Sequence, residues 1–158
     1  MIVRALSLRQ PWAAAVVHGG KRIENRLRWK GSSFRGLILL HAATGMTARE
    51  YNEAIEFLVM ARISWRPDPT TLLRGGFIGR AVVTGTVATE SDLDALVVED
   101  PTFDRLWWMG GFALILDHVS AIPYAPWKGA LGLFGVDTEA VAASLPEGQR
   151  AAWRASVD

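Results

Sequence analysis

The sequence contains no cysteine, so disulfide bonds and thiolate metal sites are excluded, and this composition fits a reducing compartment. It also lacks any uninterrupted apolar run near the roughly 20 residues that a membrane-spanning helix needs. The first residues, MIVR, are not followed by the long apolar segment of a signal peptide. These absences predict a soluble, cytoplasmic protein that does not enter a membrane.

Histidine is scarce as well. The three histidines, His18, His41 and His118, do not have the spacing of metal ligands, and no cysteine can complete a zinc site with them. The double glycines Gly75-Gly76 and Gly110-Gly111 do not open a helix that carries Lys followed by Ser or Thr, so neither is a phosphate-binding loop. The sequence therefore predicts no metal site and no cofactor.

A large excess of positive charge is also missing, because the net charge is only +1. The charge is unevenly distributed: residues 1–36 hold eight Lys or Arg and the single acid Glu24, whereas residues 90–104 hold six acids and no base. A basic face opposite an acidic face is typical of local anion binding. Surface patches that merely compensate each other are the alternative, and the charge counts alone slightly favour them.

What the sequence does contain is enough apolar residues for a core, at 50% of 158 residues, and we expect one domain over residues 1–158. The clearest helix is 46–61, where Thr47 and Glu50 form a capping box. The pattern of apolar runs and breakers as a whole predicts the α+β class. The predicted strands are 2–8, 21–27, 37–42, 75–88, 112–122 and 131–136, and the other predicted helices are 12–18, 92–97, 138–144 and 146–157.

The segment from Ser7 to Trp29 has the most distinctive pattern of the chain. Pro11 suits the first position of a short helix, where its missing N–H would have no partner in any case. Gly19-Gly20 would end that helix, because glycine adopts left-handed backbone at little steric cost. The strand predicted next is unusually charged, and it begins close to the end of the helix. Chemistry or recognition is therefore expected at this junction.

Lys21, Glu24 and Arg26 are the charged residues at the junction. Their types suit a base-and-nucleophile pair, in which burial lowers the pKa of the lysine, and they equally suit a charged group that binds the edge of a nucleobase. A surface salt-bridge ladder, worth about 0–1 kcal/mol, is the third interpretation. Strand alternation puts Glu24 and Arg26 on one face, so Lys21 joins them only if it still belongs to the glycine turn.

Aromatic and hydroxyl residues supply the remaining candidates. Most of the seven tryptophans are assigned to the core, and Trp12 and Trp29 to the rim of a pocket, where a base would stack for about 1–3 kcal/mol. His41 ends a buried strand and is either a pocket residue or a core histidine with satisfied hydrogen bonds. Ser7 and Thr44, beside His41, would suit a hydrolase, but neither lies in a nucleophile elbow.

Several segments of the chain, taken in order, resemble the ASCH domain family. The opening signature comprises Ser7-Leu8, Gln10-Pro11-Trp12-Ala13, Gly20-Lys21, Glu24 and Arg26. The likeness continues at 35–42, at 79–87 and in the closing segment WKGALGLFGV at 127–136, so it covers nearly the whole chain. This resemblance implies a small PUA-like mixed β-barrel with a short helix after the first strand, a longer inserted helix and C-terminal helices.

The resemblance also implies a class of ligand. Small bacterial ASCH proteins hydrolyse N4-acetylcytidine with a catalytic lysine at the position of Lys21, and their proposed threonine nucleophile stands where this chain has Glu24. At Glu24 the chain instead resembles longer ASCH proteins, for which binding of nucleic acid or a modified base is usually inferred. We therefore expect a monomer that binds RNA or a modified nucleobase in a cleft between the first helix and the barrel. The expected ligand-binding residues are Gln10, Trp12, Lys21, Glu24, Arg26, Trp29, His41 and Lys128.

Two alternatives stay open. The first is an enzyme on the same pocket, a metal-independent amidohydrolase of acylated cytosine or a nuclease, in which Lys21 activates the attack and Glu24 moves protons. The second is a protein-interaction module in transcription or translation regulation, suggested by regulatory members of the family and by the acidic residues 90–104. Turnover of a modified nucleoside would distinguish the enzyme from the binding protein. A concave pocket at Lys21 and Glu24 would distinguish both from the interaction module.

Overall fold

The computed structural model describes residues 1–26 and 33–158, and in this part of the chain strands and helices are interspersed. The strands are β1 Ile2–Leu8, β2 Ile23–Asn25, β3 Gly36–Ala42, β4 Gly76–Val87, β5 Ala113–Pro126 and β6 Leu133–Asp137. The helices are α1 Trp12–His18, α2 Ala48–Met60, α3 Glu90–Glu99, α4 Thr138–Ser144 and α5 Glu147–Val157. The α+β class predicted from the sequence is confirmed.

The strands form one mixed sheet in the order β2-β5-β4-β3-β1-β6. β1 and β3 pair in parallel, and every other neighbouring pair is antiparallel. Within the described residues β2 and β6 stand at opposite ends and do not pair, so the expected closed barrel is corrected to an open sheet. β2 has three residues, and all three pair with β5.

The inserted helices begin where their capping residues stand. Thr47 and Glu50 form the predicted capping box at the start of α2, with each side chain bonded to the other residue's backbone N–H. Thr89 and Asp92 form a second box, so α3 begins at Glu90, earlier than the expected residue 92. Local side-chain chemistry therefore sets both helix starts.

The turn between α1 and β2 places the charged junction. Gly20 has a φ of 77°, a left-handed conformation that glycine adopts without strain. The Lys21 backbone N–H donates to the Ala15 carbonyl at 3.1 Å, so the chain is still tied to the helix at this point. β2 begins only at Ile23, two residues later than predicted. Lys21 thus belongs to the turn, which is the condition under which it can reach Glu24.

The buried apolar side chains form clusters between the sheet and the helices. One cluster includes Trp153 of α5, which is fully buried with its ring 5.8 Å from that of Phe77. Another joins α1, α2 and α3 around Leu58 and Trp107. None of the helices in the described part of the chain is both long and apolar enough to span a membrane. The single domain and the cytoplasmic location remain predictions.

Candidate functional site

Where α1 meets β2, three charged side chains form a row of consecutive ion pairs, the ion chain. Lys21 Nζ lies 3.1 Å from Glu24 Oε2, and Arg26 Nε lies 3.1 Å from Glu24 Oε1. Lys21 is 1% exposed and Glu24 is 7% exposed, so water and salt screen this pair only weakly. The interpretation as a solvated surface ladder therefore does not fit these residues.

Lys21 is held in the interior by two further contacts. Its ammonium donates a short hydrogen bond to the Ile23 carbonyl and lies 5.8 Å from the ring centroid of Trp12. Burial lowers the pKa of Lys21, and the neighbouring Glu24 carboxylate opposes that shift. Lys21 is thus a buried amine whose positive charge depends on Glu24.

Arg26 extends from the same cluster towards β1. Its Nη2 donates to the Ser7 carbonyl at 2.7 Å, and its backbone N–H donates to the Phe112 carbonyl at 2.8 Å. Together with the Glu24 carboxylate, these contacts fix the direction of the guanidinium group. The Arg26 side chain is 24% exposed, which leaves part of it accessible to a ligand.

Ser7 and His41 are brought together by the parallel pairing of β1 with β3, in which they are direct register partners. Ser7 Oγ lies 3.0 Å from His41 Nδ1, and His41 Nε2 lies 2.8 Å from the Trp127 carbonyl oxygen. Because a carbonyl oxygen only accepts hydrogen bonds, Nε2 carries a proton and donates it. In the neutral ring Nδ1 is then the acceptor, and the Ser7 hydroxyl donates to it.

These residues open onto a cavity of about 460 Å³, a volume within the usual range for small-molecule sites. Its wall comprises Ser7, Arg9, Arg26, His41, Ala43, Thr44 and residues 128–132. The backbone at Gly129 passes close over the Ser7–His41 pair: a Cβ there would lie 2.5 Å from Ser7 Oγ and 2.6 Å from His41 Cε1. Glycine is therefore required at this position, because any side chain would collide with the pair.

A second, much smaller cavity of about 80 Å³ lies at the Lys21 end of the ion chain. It is lined by Trp12, Lys21, Glu24, Asn25 and Met109. Our expectation that Trp12, Lys21, Glu24 and Arg26 border one cavity is thus wrong for the described residues. Lys21 turns towards the Ile23 carbonyl beside Trp12, whereas Arg26 extends to Ser7. The two cations pair with the same Glu24 but line different cavities.

The structure places the other expected site residues as follows. Gln10 is buried, its Nε2 donates to the Leu73 carbonyl at 2.7 Å, and its Oε1 accepts from the Ala14 N–H at 3.0 Å. It lines neither of the two cavities at the ion chain and instead ties α1 to a loop. Lys128 is exposed on the wall of the larger cavity. Trp29 lies outside the described residues.

The direct pairing of Ser7 with His41 is the feature that sequence reasoning missed. Both residues were candidates, but nothing in the sequence states that β1 pairs with β3 in parallel or in which register. Asn25 was also missed: its side chain donates to the Trp107 carbonyl and accepts from the Met109 N–H. It supports the wall of the smaller cavity through contacts between residues distant in the sequence.

A third cavity, of about 580 Å³, shares no lining residue with the other two. Arg22 crosses it and pairs with both Asp100 and Asp117, so the acidic side chains here are partly neutralised from within the protein. Over residues 1–26 and 33–158, no three His, Asp or Glu side chains converge in a group that could hold a metal ion.

The burial of His41 predicts a pH dependence of stability. Desolvation lowers the pKa of His41, and the hydrogen bond to the Trp127 carbonyl opposes the shift only in part. Below its ordinary pKa of about 6.5 the unfolded chain therefore binds a proton that the folded chain does not. We expect the free energy of unfolding to fall by up to about 1.4 kcal/mol per pH unit as the pH drops below that value.

Urea denaturation between about pH 7 and pH 5 measures this effect, since most carboxylates titrate below that window. The loss should flatten below the lowered pKa of His41, where both states are protonated. A His41→Gln variant lacks this titration and should show a smaller dependence on pH. Equal slopes for both proteins would show that His41 is not the responsible group.

Comparison with known proteins gives a family match for most of the chain. The chain matches the family model described as the ASCH domain over residues 6–132. Among solved structures it is similar to an ASCH protein from Zymomonas mobilis, at 16% identity and a TM-score of 0.47, over 94% of this chain and 92% of that one. A serine-to-alanine mutant of the Zymomonas protein gives 15% identity and a TM-score of 0.47 over 86% of this chain and 89% of that one. No curated protein sequence matches the chain significantly.

Proposed function

Since the chain belongs to the ASCH domain family, we propose that it binds RNA or a modified nucleobase in the larger cavity, whose wall includes Arg26 and His41. The observation that carries this proposal is the position of Arg26, which the buried ion chain directs onto the wall of the larger cavity. A guanidinium group held in this way suits a carbonyl oxygen of a base or a phosphate oxygen.

The shape and chemistry of the larger cavity support the same ligand. Its volume of about 460 Å³ would accommodate one base that is splayed out of a single strand, which is the usual mode of sequence-specific RNA recognition. Ala43, Ala130 and Leu131 offer apolar contact to the ring faces. The hydroxyls of Ser7 and Thr44 on the same wall, with the exposed Lys128, offer polar contacts to its edge and backbone.

A binding screen tests this proposal directly. The purified protein is incubated with a panel of modified nucleosides and short single-stranded RNAs, and complexes are detected by native mass spectrometry. We expect at least one nucleoside or RNA to bind, and we expect Arg26→Ala to weaken that complex. A panel with no bound member, at concentrations far above those of physiological nucleosides, would contradict the proposal.

A second candidate function is metal-independent hydrolysis of an acylated cytosine. It is favoured by one observation, the buried Lys21 with a lowered pKa and its Nζ against Glu24, because an amine of this kind can take part in proton transfer. Two observations favour binding over this chemistry. Both oxygens of Glu24 are already engaged with cations, and the cavity at Lys21, of about 80 Å³, is too small for the substrate.

We therefore expect wild-type protein to show no turnover of N4-acetylcytidine when the reaction is followed by liquid chromatography. Robust release of cytidine and acetate would instead establish the enzyme. In that case Lys21→Ala should abolish the reaction, and Glu24→Gln should slow it by about 100-fold or more through lost proton transfer. Arg154→Ala, on α5 and outside all the cavities described, is the control variant.

A further inference from the structure

The larger cavity contains a hydroxyl group and an imidazole in the arrangement of a nucleophile and its base. We propose that Ser7 and His41 form a nucleophile–base pair that hydrolyses acyl esters bound in this cavity. The activity goes beyond the proposed function, because it adds a chemical reaction in the same cavity and does not require a nucleobase.

The protonation states are the ones that such a reaction needs. The Trp127 carbonyl, 2.8 Å from His41 Nε2, fixes the proton on that nitrogen and leaves Nδ1 facing Ser7 Oγ at 3.0 Å. The carbonyl thus orients the imidazole as the third member of a catalytic triad does. Burial keeps the ring neutral, in agreement with the lowered pKa of His41, so Nδ1 is available as a base near neutral pH.

Packing holds the imidazole in one orientation. The rings of Phe77 and Phe134 lie edge-on to it, with centroids 5.5 Å and 6.4 Å away. Ser7 is fixed by the paired strands β1 and β3, and its carbonyl accepts a hydrogen bond from Arg26 at 2.7 Å. Nucleophile and base therefore stand on rigid elements, which is the condition for efficient proton transfer in a site.

Ser7 and His41 both line the larger cavity, so a reacting group would approach the pair from that cavity. The backbone passes close over the pair at Gly129, where a side chain would collide with Ser7 Oγ and His41. The Arg26 guanidinium donates to the Ser7 carbonyl and lines the same cavity, so it places a positive charge on the wall of the space in which a tetrahedral oxyanion would develop. A fixed positive charge at such a position stabilises the transition state of acyl transfer.

The lining of the cavity indicates the substrate class. Ala43, Ala130 and Leu131 suit a small acyl chain, while the exposed Lys128 suits an anionic group on the rest of the molecule. The expected substrate is thus a carboxylic ester whose alcohol portion carries a phosphate or carboxylate.

The reaction proceeds in two steps, the acylation of Ser7 and the hydrolysis of the acyl-serine. Ser7 Oγ attacks the ester carbonyl carbon, its proton moves to His41 Nδ1, and the carbonyl electron pair moves onto oxygen. When that electron pair re-forms the carbonyl double bond, the bond to the alcohol oxygen breaks and the alkoxide takes the proton from His41. Water then attacks the acyl-serine with His41 as the base, which releases the carboxylic acid and restores Ser7.

A fluorophosphonate probe tests the nucleophile in the wild-type protein. Its phosphorus forms a bond to an activated serine oxygen as fluoride leaves, and mass spectrometry of the peptides locates the adduct. We expect labelling at Ser7, none in Ser7→Ala, and labelling that is about 100-fold slower in His41→Gln. Labelling confined to other serines, or an unchanged rate in His41→Gln, would overturn the proposal.

A second variant keeps the proposal falsifiable if His41→Gln does not fold. Because the chain has no cysteine, Ser7→Cys introduces a single thiol. Its rate of alkylation by iodoacetamide against pH gives the thiol pKa, which should lie below the ordinary value of about 8.5 if His41 acts on it. Ser64→Cys, in an exposed loop, is the matched control.

If the thiol pKa in Ser7→Cys is equal to or higher than that in Ser64→Cys, the proposal is overturned, whatever the absolute alkylation rates. Neither the fluorophosphonate labelling nor the cysteine alkylation uses RNA or a nucleoside. Failure of the proposed binding function would therefore leave both results unchanged, and failure of the labelling would leave the binding screen unaffected.

Discussion

Replacing Glu24 with glutamine is expected to destabilise the fold by about 3–5 kcal/mol, the usual cost of removing one partner from a buried ion pair. The reason is that Lys21, only 1% exposed, would lose the carboxylate 3.1 Å from its ammonium. The Ile23 carbonyl would remain as a hydrogen-bond acceptor but could not balance the charge. Urea denaturation near neutral pH measures the loss.

A double variant separates the ion pair from general damage to the core. Lys21→Met combined with Glu24→Gln removes both charges of the pair, and we expect it to recover most of the stability lost in Glu24→Gln alone. Glu139→Gln, which removes the exposed partner of Arg154, should leave the denaturation midpoint nearly unchanged. Two results would contradict a stabilising role for the buried Lys21–Glu24 pair. One is a Glu24→Gln variant that is as stable as Glu139→Gln, and the other is a double variant that is less stable than Glu24→Gln.

Replacing Arg26 with alanine is expected to weaken binding of a single-stranded RNA by about 10- to 100-fold, the value of one charged hydrogen bond of about 1.5–3 kcal/mol. If the guanidinium contacts a phosphate, the slope of log affinity against log salt should also fall by about 0.7. Binding should be weak in any case, because few phosphates can be reached by the basic residues near the cavity.

Fluorescence anisotropy over a series of salt concentrations measures both quantities. Arg154→Ala is the matched control, because Arg154 lies on α5, pairs with Glu139 and lines none of the cavities described. If Arg26→Ala keeps the affinity and the salt slope of the wild-type protein, the Arg26 guanidinium is not part of the RNA-binding surface. An equal loss in Arg154→Ala would show that the effect of Arg26→Ala reflects net charge rather than a contact.

Much of the fold could be predicted because it depends on local chemistry. The box formed by Thr47 and Glu50 starts α2 where expected, and the α1–β2 turn occurs at the predicted glycines because Gly20 takes a left-handed conformation. The approach of Lys21 to Glu24 was predicted on the condition that Lys21 belongs to this turn, and the structure meets that condition. Each of these features depends on residues a few positions apart.

What could not be predicted depends on residues far apart in the sequence. The register that sets Ser7 beside His41 arises from pairing of strands separated by α1 and β2. The division into two cavities depends on where Arg26 points, and its target is a backbone carbonyl on β1 that no sequence pattern marks. Gln10 is a further example, because its partner Leu73 lies 63 positions away.

The most direct test of a nucleobase site at the ion chain is a nuclear magnetic resonance titration. Labelled protein is titrated with the nucleoside or short RNA that binds best in the screen, and the side-chain signals of His41 and of the arginines are followed. We predict that His41 and Arg26 shift and saturate together, while Arg22 and Arg154 stay in place. Saturable binding that shifts the signals of Arg22, in the third cavity, and leaves those of His41 and Arg26 unchanged would contradict the account.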